Sequence, residues 1–164
     1  MKTLLVLRHA KSSWKDASLA DHDRPLNKRG KKNAPAMGRL IEDKRLTPAW
    51  IAASTAVRAR KTAEAVAKGS GYSGEVHYTK KLYLASPAEI LAVVREMAPE
   101  SANRILLVGH NPGLEELVGA LTDERQPFPT AALACITLPI ESWSELGGAT
   151  EGELVQLWRP RDLD

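Results

Sequence analysis

The sequence predicts an α/β protein in three layers, with helices on both faces of a mostly parallel sheet. Three observations carry this. Short apolar runs alternate with segments whose apolar residues recur at helical spacing, from the N-terminus to about residue 121. The runs at Leu4–Leu7 and Ile105–Val108 are unbroken by polar residues, which suits strands buried on both faces. The last two strand-like runs follow each other without a helix between them, so they add an antiparallel edge.

Leu4 to Ala10 reads Leu-Leu-Val-Leu-Arg-His-Ala, a core strand ending in Arg8 and His9. Lys11 to Arg24 is too polar and aperiodic for a regular element and is expected to line the carboxyl end of that strand as a loop, closed by Pro25. From Asn27 the pattern is helical, with Ala34, Met37, Leu40 and Ile41 on one face. Pro35 marks a kink or a later helix start. The basic cluster Lys28 to Lys32 fits a solvated helix face, with phosphate or nucleic-acid binding as the sharper alternative.

Trp50 to Ala53 forms a second strand, followed by Ser54 and Thr55. Arg58 to Lys68 is a helix with Ala59, Ala63, Val66 and Ala67 inward, ended by Gly69 and Gly71. Val76 to Leu82 suits an outer strand or extended connection. Ser86-Pro87-Ala88-Glu89 is a capping box opening a helix that buries Ile90, Val93, Val94 and Met97 and stops at Pro99. Arg104 to His110 repeats the design of the first strand, and Leu114, Leu117, Val118 and Leu121 mark the helix after it. Leu133–Ile140 and Glu153–Trp158 are the last strands, joined by a hairpin or longer loop. No repeat, linker or low-complexity tract divides the chain, so residues 1–164 are expected to form one domain.

Composition narrows the function classes. Hydrophobic residues make up 43% and charged residues 26%, ordinary values for a globular protein. The net charge of +3 is compatible with an anionic substrate and does not indicate nucleic acid. Cys135 is the one cysteine, so no intrachain disulfide forms, and its apolar context makes it a small core residue. No apolar stretch approaches the roughly 20 residues needed to span a bilayer. The N-terminal run is too short for a signal peptide, which gives a cytoplasmic expectation.

Parallel strands end at one sheet edge. Arg8-His9, Ser54 with Arg58, and His110 should therefore converge there, at the edge where open α/β sheets bind ligands. Guanidinium forks pair with phosphate oxygens and stay charged. A histidine can attack phosphorus and hold it covalently, while a second stabilises the equatorial oxygens during in-line transfer. Any one of these residues has an ordinary structural explanation; two strand-end histidines with two arginines do not share one. Lining cations disfavour a metal site, and no Cys or carboxylate cluster completes one, so neither metal nor other cofactor is expected. His22 and His77 are read as structural residues without partners. Glu89 is adequately explained by its cap, with acid catalysis as an alternative.

At these residues the chain resembles the histidine phosphatase superfamily, with its phosphoglycerate mutase-like fold. The matching segments are Leu7-Arg8-His9-Ala10, Ser54 to Ala59 with Thr62, and Val108-Gly109-His110-Asn111. Asp21 to Leu26, an Asp-x-x-Arg-Pro-Leu pattern, resembles the SixA type of bacterial phosphohistidine phosphatase. The resemblance implies a metal-independent phosphatase with His9 as nucleophile. It implies a phosphate pocket of Arg8, Arg58 and His110, with Arg24 and Ser54 as further phosphate-binding candidates. Ala10 stands where the family has glycine, and a positive φ there would be costly. No clear match to the family's acidic proton donor is present; Glu89, Asp21 and Asp23 are the candidates. Weak acid support favours a phosphohistidine in a signalling protein, whose imidazole leaves neutral, over a sugar phosphate or nucleotide. A weakly catalytic phospho-binding module is the remaining alternative. An open, shallow pocket rimmed by Trp14 and Tyr83 to Ser86 is expected, and a monomer is favoured.

Overall fold

The computed structural model describes residues 1–163. One six-stranded sheet runs in the order β3–β2–β4–β1–β5–β6. β1 is Lys2–Arg8, β2 Trp50–Ser54, β3 Val76–Thr79, β4 Arg104–Gly109, β5 Leu133–Leu138 and β6 Glu153–Trp158. The first four are parallel; β5 runs antiparallel to β1, and β6 antiparallel to β5. The helices are α1 (Lys28–Asp43), α2 (Val57–Gly69), α3 (Pro87–Met97) and α4 (Gly113–Thr122). None of them is long and apolar enough to cross a membrane.

The pleat sorts each central strand onto two cores. Leu5 and Leu7 pack with α1 and α2 residues such as Met37, Ile41 and Val66. Leu4 and Val6 pack with Ile90, Val94, Leu114 and Leu117 of α3 and α4. Both faces of β1 are therefore apolar, the origin of its unbroken run. β1 and β4 are neighbours whose connections leave in opposite directions, β1 toward β2 and β4 toward β5. A crevice opens at such a switch point beyond the carboxyl ends of the strands.

Two glycines let backbone pack on backbone beside that crevice. A Cβ on Gly30 would overlap the Lys11 carbonyl, and one on Gly113 would overlap that of Ala85. Asn27 caps α1, its side chain accepting from Gly30 N at 2.8 Å, and its own N–H donates to Lys11 O at 2.9 Å. The start of α1 is thus anchored to the segment just past His9.

Several elements depart from expectation. α1 is continuous through Pro35, which neither starts nor interrupts it. β3 stops at Thr79, and Lys80–Leu82 turns as a 3-10 helix that buries Leu82. The polar loop after β1 contains a 3-10 turn at Asp21–Asp23 and a bridge between Ser12 and Leu26. The β5–β6 connection buries Trp143 completely, with its indole N–H donating to Ala102 O at 2.7 Å. The capping box of Ser86 and Glu89 forms as expected.

Candidate active site

Strand register brings the histidines together. Arg8 of β1 pairs with Gly109 of β4, so the next residues, His9 and His110, stand level on adjacent strands. Their ring centroids are 5.1 Å apart, close to the ~4.8 Å spacing of neighbouring strands. On the other side of β4, Ala53 pairs with Val108, which puts Ser54 level with Gly109. Arg58 follows in the first turn of α2, buried, and reaches back to this edge. Arg8, His9, Arg58 and His110 all line one cavity of about 240 Å³, together with buried Arg24 and the exposed Trp14 and Leu84.

The hydrogen bonds assign the tautomers. His9 Nδ1 lies 2.8 Å from Ala10 O, so Nδ1 carries the proton and Nε2 keeps its lone pair. Burial, together with Arg58, Arg8 and Arg24, pushes the His9 pKa down to about 4, leaving the ring neutral at pH 7. Arg58 Nη2 faces His110 Nδ1 at 3.4 Å and can only donate. His110 Nδ1 is therefore the acceptor, and Nε2–H donates to Ser54 Oγ at 2.8 Å. Burial lowers the His110 pKa to about 3, with the neighbouring His9 and Arg58 acting in the same direction.

Ala10 does not have a positive φ. It is fully buried, and its N–H donates to Thr62 Oγ1 at 2.9 Å, while the Thr62 hydroxyl donates to Arg58 O at 2.7 Å. The expected strain of an alanine at this position is thus absent, and Thr62 ties the His9 turn to the first turn of α2. Arg8 Nη1 donates to Phe128 O at 3.2 Å, while its Nε is buried with no partner.

Asp21 organises the cationic wall. Its Oδ1 accepts from Arg24 Nη1 at 2.9 Å, and its Oδ2 accepts from Arg58 Nη2 at 2.9 Å and from the Tyr83 hydroxyl at 2.5 Å. Its backbone carbonyl accepts from Arg58 Nη1 at 2.7 Å. The Tyr83 bond foremost, then those to the arginines, hold its carboxyl well below the usual carboxylate range. Arg24 is further held by Ser12 Oγ and Ser13 O, and its guanidinium stacks on Trp14 at 3.2 Å from the ring centroid.

The remaining sequence candidates fall differently. Ser54, expected among the phosphate-binding candidates, is fully buried and does not line the cavity; its hydroxyl meets the His110 imidazole instead. Glu89 is exposed and bonded within its cap. Asp23 is exposed, 3.7 Å from His22 Nδ1. None of Glu89, Asp21 and Asp23 lines the cavity, and Asp21 is an acceptor from three donors, unsuited to releasing a proton. His22 and His77, expected to lack partners, both have them. His22 Nε2 bonds Thr55 Oγ1 at 2.8 Å and its ring meets Tyr83 edge-on, whereas His77 stacks on Trp50. Tyr83, expected only at the rim, bonds Asp21 and packs nearly perpendicular to the His110 ring, with the centroids 5.4 Å apart. The one local sign of the Asp21 cluster was the i, i+3 spacing of Asp21 and Arg24.

A sheet-edge cavity lined by arginines and two neutral imidazoles, one with a free nitrogen, has the chemistry to receive a phosphoryl group. Residues 4–83 match the family model of the histidine phosphatase superfamily (branch 1). An uncharacterised protein of Mycobacterium leprae (strain TN) is 32% identical over 168 residues, covering 94% of this chain and all of its own. The structure of a protein assigned as a phosphohistidine phosphatase SixA, from Agrobacterium tumefaciens, superposes with a TM-score of 0.81 at 28% identity, over 97% of this chain and 98% of its own. The fold also matches the protein histidine phosphatase SixA complexed with tungstate, with a TM-score of 0.84 at 21% identity over 99% of both chains. The chain belongs to the histidine phosphatase superfamily, in its SixA-like branch, and is a hydrolase of the phosphatase class.

Proposed function

We propose that this phosphatase removes the phosphoryl group from phosphohistidine displayed on a protein, through a phosphohistidine intermediate on His9. The observation that supports it most is the cavity wall, which among the described residues carries cations and two neutral imidazoles but no carboxyl group. An alkoxide leaving group needs a proton from an acid. A phosphohistidine ring protonated on its second nitrogen leaves as neutral imidazole and needs none. Size points the same way: about 240 Å³ lies below the ~300–1,000 Å³ typical of sites that bury a small molecule. The phosphoryl group enters and the rest of the substrate stays outside, against exposed Trp14 and Leu84.

In the first step the His9 Nε2 lone pair attacks phosphorus in line with the substrate P–N bond. That bond breaks, and its electron pair stays on the leaving imidazole. Arg8 and Arg58, which both line the cavity, hold the equatorial oxygens. The incoming negative charge raises the proton affinity of His110, whose Nδ1 takes up a proton from solvent as the substrate binds and then donates to the phosphoryl group instead of accepting from Arg58. Water next attacks phospho-His9, the P–N electron pair returns to Nε2, and inorganic phosphate leaves with the water oxygen, one water proton staying on the phosphate and the other passing to solvent.

The test is to trap the phosphoenzyme with a histidine-phosphorylated protein, map the modified residue by mass spectrometry, and compare turnover with that of phosphate monoesters. Phosphate on His9, its loss in His9→Ala, and a preference for phosphohistidine are expected. Phosphate on another residue, or rapid monoester hydrolysis with phosphohistidine left intact, refutes the reading.

A further inference from the structure

The basic cluster at the start of α1 takes no part in this chemistry. Lys28, Arg29, Lys31 and Lys32 are exposed, and none has an ion-pair partner among the described residues. Helix stability does not explain them. The first turn of α1 contains no acidic residue, so these cations sit at the positive end of the helix macrodipole, where like charge is unfavourable. Lys11 and Lys15, on the loop after His9, are likewise exposed and unpaired among the described residues.

These six cations are contiguous with the cavity. Lys11 lines both the cavity and a neighbouring groove that reaches Arg29. Arg29 in turn borders a larger hollow walled by Lys15, Lys28, Lys31 and Lys32. No carboxylate lines the groove or the hollow among the described residues. The Gly30 contact with Lys11 holds the helix and the loop in one rigid relation.

We propose that this band docks an acidic surface of the protein that presents the phosphohistidine, steering it so that the phosphoryl group meets the cavity mouth. The proposal rests on the phosphohistidine reading above. Two observations favour an acidic protein over a nucleic acid. The band carries no aromatic side chains on which bases could stack, and Trp14 nearby already has Arg24 against one face. The cavity it leads to admits a phosphoryl group but is too small for a nucleotide.

The experiment measures kcat/KM on three substrates: N-phosphoimidazole, a phosphohistidine peptide flanked by glutamates, and the same peptide flanked by serines. The wild type is compared with the quadruple variant K28E/R29E/K31E/K32E. None of these four residues lines the cavity, and acidic residues suit a helix N-terminus, so the variant is expected to melt no lower than the wild type. At low salt the wild type should prefer the glutamate peptide about tenfold, within the range of electrostatic steering. The preference should vanish in the variant and in 0.5 M salt (about a 4 Å screening length), with phosphoimidazole turnover unchanged. Wild-type turnover of phosphoimidazole and both peptides without preference overturns the docking proposal alone. Failure on phosphoimidazole overturns the phosphohistidine reading and the docking proposal with it. A missing peptide preference alongside binding of a 20-nucleotide DNA that the variant abolishes assigns the band to nucleic acid instead.

Discussion

Replacing Asp21 by Asn tests the idea that one carboxylate aligns the cationic wall. The change keeps the volume but offers a single carbonyl oxygen to three donors, Arg24, Arg58 and Tyr83, and turns an amide nitrogen toward at least one of them. The arginines are buried, with 8% and 4% of the Arg24 and Arg58 side chains exposed, so they cannot rehydrate in place. Breaking a fully buried pair costs ~3–5 kcal/mol. The Asp21 side chain is 43% exposed, however, and exposed pairs are worth only ~0.2–1 kcal/mol. An intermediate loss of about 1–2 kcal/mol follows, which is about 5- to 30-fold in kcat/KM if it falls on Arg58 in the transition state. The assay is steady-state hydrolysis of a small phosphoramidate, with urea unfolding alongside. The pH dependence has a definite sign. Asp21 titrates lower in the folded than in the unfolded chain, so its contribution is present above about pH 4 and lost as the pH falls further. The stability gap between wild type and Asp21→Asn should hold from pH 7 to about 4 and narrow below that. A variant with kcat/KM within twofold of wild type would refute the assigned role.

Three further outcomes are expected. His9 and His110 titrate near 4 and 3 when folded, so only the unfolded chain takes up their protons between about pH 6.5 and 4. Stability should fall by ~2–4 kcal/mol from pH 7 to 5 in urea unfolding, and a flat profile would contradict two neutral buried imidazoles. Ala10→Gly should destabilise by about 1 kcal/mol through chain entropy and a lost buried methyl. It should leave turnover within twofold, because Ala10 has no positive φ to relieve; a rise in activity would show that the alanine is strained. Trp143→Ala should cost ~3–5 kcal/mol in thermal or urea unfolding while phosphoenzyme formation persists in the folded fraction.

Strand and helix positions were largely legible because they follow from burial. β1 and β4 are enclosed on both faces and read as unbroken apolar runs, while α1 to α4 show one apolar stripe each. Val76 to Leu82, expected as an outer strand or extended connection, divides into strand and turn because the apolar Leu82 is buried in the turn and does not extend the sheet edge. Trp143 was missed because a single residue in an irregular connection has no period to betray its burial.

At the site, local pattern pointed to Arg8, His9, Arg58 and His110, since each follows a strand or opens a helix, and the structure brings the four to one cavity. Local pattern could not set the register of β1 against β4, which stands the two imidazoles side by side, nor their protonation, which depends on the Ala10 carbonyl and on Arg58. The contacts of Ser54, Asp21 and Tyr83 emerged only when segments distant in the chain met. Ser54 lies 56 residues from His110, and Asp21 62 residues from Tyr83. A serine or aspartate in a polar loop has many equivalent partners in sequence, and burial against one particular neighbour is what selects among them.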